Sequence, residues 1–246
     1  MTSELPPEQL IEQVTTALDE LATQLAQLPD EAFAKPSSLP GWSTAQLVAH
    51  LHSLAQAARR QFENAGAAHL PPMYDGGQVG RIEAINMVAL LRPEKLRELV
   101  AESLAQLRVV LAGCEAKWEQ PVGYRPAAQV ADMVYAVWRE MLIHATDLDE
   151  FVRPAASWPQ EFSDHLLRAL AARVRAGDRV VVQPHGRQRQ VLGNGQRSWV
   201  LEGTDYDLAA WFVGRPVSGV VRATKAADSA EFPTLLPWPS DTLMQR

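Results

Sequence analysis

Glu140 and His144 stand four residues apart in the run Trp138-Arg139-Glu140-Met141-Leu142-Ile143-His144-Ala145-Thr146-Asp147. Coiled as a helix, this run places Met133, Val137, Glu140, Met141, His144 and Leu148 on one face. Two ionisable groups in a core-facing stripe are costly unless each has a partner. A divalent metal is one such partner, because it takes ionised Glu and neutral His directly. A plain hydrogen-bonded or ion pair is another, and the Glu-x-x-x-His spacing alone leaves both open.

A third ligand has a candidate in His50. Ser43 followed by Gln46 is a capping-box pattern and predicts a helix start. The apolar stripe of that helix runs Leu47, Leu51, Leu54, Ala58, and His50 falls within it. His52 falls on the other side, in line with Gln56 and Arg59, and is expected to be solvated. His50, Glu140 and His144 then form a two-His, one-carboxylate set with open coordination positions, which suits zinc or ferrous iron.

The elements that must position these residues read as helices. Leu10, Ile11, Val14, Leu18, Leu21 and Leu25 recur at helical spacing over residues 7–27. A second helix runs from 43 to 64 and closes at Gly66. A third follows Gly76 and Gly77, over 79–91. Pro93 suits the first position of a fourth, which carries Leu96, Leu99, Val100, Leu104 and Leu107 and ends at Gly113. Tyr124-Arg125-Pro126 is read as the opening of the helix that bears Glu140 and His144. Long amphipathic helices with no strand between them predict an antiparallel helix bundle.

Composition shifts near residue 154, so the chain is divided into a helix-bundle domain over 1–154 and a small α+β domain over 155–246. The second part carries a helix ending at Gly177 and strands over 179–183, 188–192 and 198–202. A short helix capped by Asp205 or Asp207 and stopped by Gly214 follows, then a last strand over 217–222. The fold class is α+β.

The net charge of −6 over 246 residues disfavours a nucleic-acid partner. No run of apolar residues is long enough to span a membrane, and the N-terminus lacks a signal-peptide core, so a cytoplasmic protein is expected. The only cysteine, Cys114, rules out an intrachain disulfide. It follows Gly113 at a helix end, where a small buried hydrophobe is expected, not a nucleophile.

The order Gly41-Trp42…His50, then Glu140…His144-Ala145-Thr146-Asp147, then Leu208-Ala209-Ala210-Trp211-Phe212-Val213-Gly214-Arg215 resembles the thiol-dependent maleylpyruvate isomerases of the DinB-like superfamily. The resemblance covers nearly the whole chain. It implies a DinB-like four-helix N-terminal domain and a C-terminal domain similar to sterol-carrier proteins. It implies a metal, usually zinc, on His50, Glu140 and His144, with Asp147 supporting the site and Arg215 gripping a substrate carboxylate as a bidentate fork. Trp42 is expected to pack. The nucleophile implied is a low-molecular-weight thiol, mycothiol or glutathione, which adds to the double bond of a cis enoyl dicarboxylate such as maleylpyruvate. A thiol S-transferase, or a metal- or small-molecule-binding module without turnover, fits the same residues. The expected partners are the dicarboxylate and the thiol, on a monomer or homodimer.

Overall fold

The computed structural model describes residues 5–148, 153–225 and 231–238. Its contacts divide the chain into two units, one over Leu5–Glu150 and one from Phe151 onward.

The first unit is helical. Helix α1 (Pro7–Gln27) starts with proline at its first position and buries Leu10, Val14, Leu18, Leu21 and Leu25. Helix α2 (Thr44–Glu63) opens with the full capping box: Ser43 Oγ accepts from the Gln46 N–H at 3.2 Å, and Gln46 Oε1 accepts from the Ser43 N–H at 2.9 Å. Helix α3 (Gly77–Val88) buries only Ile85 and leaves Val79 and Met87 exposed. Helix α4 (Pro93–Leu111) again begins on proline. Helix α5 (Val130–Leu148) is the most apolar and buries Met133, Val137 and Met141. Helices α1 and α2 each pack on both α4 and α5, which closes a four-helix bundle, and α3 lies against α2.

Two expectations fail here. The helix of Glu140 starts at Val130, not at Tyr124–Pro126. Ala127 adopts a left-handed φ of 58°, which a helix does not tolerate. Asp132 accepts from the Gln129 N–H and from Arg125, so residues 125–129 fold as a turn on the helix that follows. His52 is half-buried, not fully solvated. Helix α4 covers it, and its Nδ1 lies 2.5 Å from Ser103 Oγ, whose own hydroxyl donates to Leu99 O.

In the second unit, α6 (Gln160–Ala169) and α7 (Asp205–Val213) pack together beside a four-stranded sheet. The strands are β1 (Asp178–Pro184), β2 (Gln190–Leu192), β3 (Arg197–Gly203) and β4 (Arg222–Lys225), in the order β2-β1-β3-β4. Strand β1 runs parallel to β3, and both outer pairings are antiparallel. Helix α6 ends well before Gly177, with a single 3-10 turn at Ala171–Arg173 after it. Thr204, not Asp205 or Asp207, caps α7. Asp207 instead accepts the backbone N–H groups of Ser218 and Gly219. That clamp holds the segment as a loop, and the last strand forms at 222–225, later than the expected 217–222. The described residues include no helix long and apolar enough to cross a membrane.

Candidate metal centre

Helix α2 supplies His50, and α5, packed against it, supplies Glu140 and His144 one turn apart. Glu140 Oε2 sits between the two rings, 3.0 Å from His50 Nε2 and 3.1 Å from His144 Nε2. The ring planes stand at 88° with centroids 5.0 Å apart. One ligand atom from each residue lies within 4.8 Å of the other two. Both histidines are buried and Glu140 is half-buried. Asp147, one turn beyond His144, is fully buried and takes the Nδ1 proton of His144 at 2.8 Å. The edge of Trp42 meets the His50 ring with centroids 5.8 Å apart, a packing contact.

The charges follow from these contacts. Burial lowers the His50 imidazole to about 4, against the pull of Glu140 and with repulsion from His144 and Arg81 added. Burial alone would raise Glu140. The hydrogen bonds from His144 and His50 outweigh it and hold the carboxyl well below its usual range. Burial also works to lower His144, but Asp147 and Glu140 grip its two nitrogens and raise it to about 9. These contacts thus favour a neutral His50 and an ionised Glu140 and make His144 the more basic of the two imidazoles.

The donor set fits a divalent cation. Two imidazole nitrogens and one carboxylate oxygen, aimed at one another from two helices, are the ligand types of a catalytic zinc site. A carboxylate behind the far nitrogen of a ligating histidine fixes the ring and its tautomer, and Asp147 sits in that position on His144.

The structure thus brings together His50, Glu140, His144 and Asp147. Arg215 belongs to the second unit, just after the left-handed Gly214 that stops α7, where its Nη1 donates to Val213 O at 3.1 Å. Cys114 is buried, and burial raises its thiol to about 12. Two residues beside the site have no sequence signal. Arg81 of α3 donates from Nη2 to His50 Nδ1 at 3.1 Å, and its guanidinium lies 5.4 Å from the centre of the Tyr74 ring. Burial, the leading cause, raises the Tyr74 phenol to about 12. Both residues lie outside the helices that carry the trio, so only tertiary packing delivers them.

The search of curated proteins finds no match. Among solved structures, the fold is similar to the crystal structure of the mycothiol-dependent maleylpyruvate isomerase, with a TM-score of 0.84 and 24% identity over 97% of this chain and 100% of that one. A histidine-to-alanine mutant of that isomerase gives the same values. At this identity the likeness carries the fold. The profile described as the mycothiol maleylpyruvate isomerase N-terminal domain matches residues 14–149. That span is more than half of the chain and contains His50, Glu140 and His144, and by it the chain belongs to this family.

Proposed function

We propose that the protein is a thiol-dependent cis-trans isomerase of an enoyl dicarboxylate such as maleylpyruvate, with zinc on His50, Glu140 and His144 and mycothiol as the thiol. The observation that carries this reading is the convergence of those three side chains on one oxygen-and-nitrogen cluster in the bundle core. The family's name supplies the thiol and the substrate class.

A divalent cation held by the three residues supplies positive charge that lowers the pKa of a thiol reaching it. The chain's own groups do the rest. Asp147 keeps the proton on Nδ1 of His144, leaving Nε2 as the ring atom turned to the site. The bundle core excludes water around His50 and His144, so charges there are weakly screened. The added thiolate attacks the cis double bond, the resulting enolate rotates about what is now a single bond, and expulsion of the thiolate leaves the trans product. Cys114, buried and protonated, is no substitute nucleophile. The role of Arg215 as the carboxylate fork and enolate stabiliser rests on the family resemblance alone.

Zinc-loaded protein mixed with maleylpyruvate and catalytic mycothiol is the test. Conversion of many equivalents of substrate per thiol is expected. Consumption of one thiol per product formed would point to an S-transferase instead, and zinc uptake with neither reaction would leave a binding module.

A further inference from the structure

Arginine has only donors. The contact from Arg81 Nη2 to His50 Nδ1 therefore makes Nδ1 an acceptor and puts the proton of the neutral ring on Nε2. From Nε2 that proton is donated to Glu140 Oε2. His144 is set the other way, because Asp147 fixes a proton on its Nδ1. The two histidines of the trio are thus held differently at Nδ1: on His144 that nitrogen donates to Asp147, which leaves Nε2 as the atom to lose its proton to a metal, and on His50 it accepts from Arg81, which fixes the proton on Nε2.

We propose that Arg81 and the metal compete for His50, and that metal loading frees the Arg81 guanidinium to grip a carboxylate of the ligand. The proposal rests on the metal reading above. Ligation through His50 Nε2 requires the proton on Nδ1, which then faces a second donor at 3.1 Å, so Arg81 must leave. What it carries away is one edge of its guanidinium. Arg81 Nε is buried and has no hydrogen-bond partner among the described residues. Nε and Nη2 form the side-on fork that matches the two oxygens of a carboxylate. An imidazole nitrogen satisfies only one arm of that fork, and a carboxylate satisfies both. There is room for one, because Arg81 and Tyr74 line a cavity of about 430 Å³ between α2 and α3, whose other arginines, Arg59 and Arg60, are already paired with Glu63 and Asp75. The helix that holds Arg81 is anchored in the core by Ile85 alone among its described residues, so a small displacement costs little packing.

Nitrogen-15 correlation spectra of the imidazoles, with zinc and maleate titrations, test this. In metal-free wild type, His50 should appear as the Nε2–H tautomer. Arg81→Met and Arg81→Gln should each bind zinc roughly tenfold more tightly, the scale of one hydrogen bond to a charged group. Glutamine adds an oxygen that can accept the Nδ1 proton, so the second variant keeps the test alive if the first folds poorly. Zinc-loaded Arg81→Met should bind maleate, a cis-dicarboxylate, at least about tenfold more weakly than zinc-loaded wild type. An Nδ1–H tautomer on His50 before zinc is added, unchanged zinc affinity in both variants, or equal maleate affinity would overturn the proposal. Failure of wild type and both variants to take up zinc would sink the metal reading itself, and the tautomer spectrum tells the two failures apart.

Discussion

A carboxylate behind an imidazole sets what the imidazole can do. Asp147 holds the Nδ1 proton of His144 from a fully buried position, so its loss affects orientation and basicity together. Asp147→Ala is expected to weaken zinc binding by about 10- to 100-fold, the range for an outer partner of a metal-bound histidine, as read by chelator competition. Cys114 gives a pH prediction. Its thiol is raised from an ordinary 9.0 to about 12 by burial. A folded pKa above the unfolded one means that the stabilisation is fully present below the unfolded value and is lost as pH rises towards the folded value. Urea unfolding should therefore show wild type losing stability above about pH 9 relative to Cys114→Ala. Parallel curves for the two proteins would show that the thiol is not buried in solution.

At the scale of elements, the site depends on where α2 begins. Ser43 and Gln46 satisfy each other's end of the helix and fix the turn that leads to His50. Ser43→Ala should cost about 1 kcal/mol of stability, measurable by denaturant unfolding, and Gln46→Ala should repeat much of the loss. This start was legible in the sequence because a capping box is local. The Glu140–His144 pair was legible for the same reason, since four residues is one helical turn. Other features are set by partners distant in sequence. The start of α5 depends on a left-handed Ala127, a residue with no glycine-like signature. The displacement of β4 depends on Asp207 reaching Ser218 and Gly219 across a loop. His52 lost part of its expected exposure to α4, which helical periodicity within α2 does not reveal. Arg81 joined the site from a helix with one buried residue and so with no readable inner face.

For the whole molecule, a metal bound only by the folded state is a stabiliser. Zinc at about 100 times its Kd should add roughly 2.7 kcal/mol, seen as a rise in Tm that a chelator reverses. His50→Ala and His144→Ala should abolish that rise. His52→Ala should keep it while lowering the baseline, because Ser103 loses one of its hydrogen bonds. Arg215 carries the proposed role of carboxylate fork, which rests on the family resemblance. Arg215→Lys should cost about 2–4 kcal/mol in kcat/KM at unchanged zinc content, because a point charge cannot replace a planar fork. Near-wild-type kinetics would leave Arg215 as the helix-end residue that bonds Val213 O. A protein that works with a small thiol meets the oxidised form of that thiol whenever the cell is stressed, and mixed-disulfide formation needs an accessible thiolate. This chain has one sulfhydryl, buried and un-ionised, so with the proposed thiol cosubstrate a swing in redox balance would pass without capping the protein or linking two copies of it.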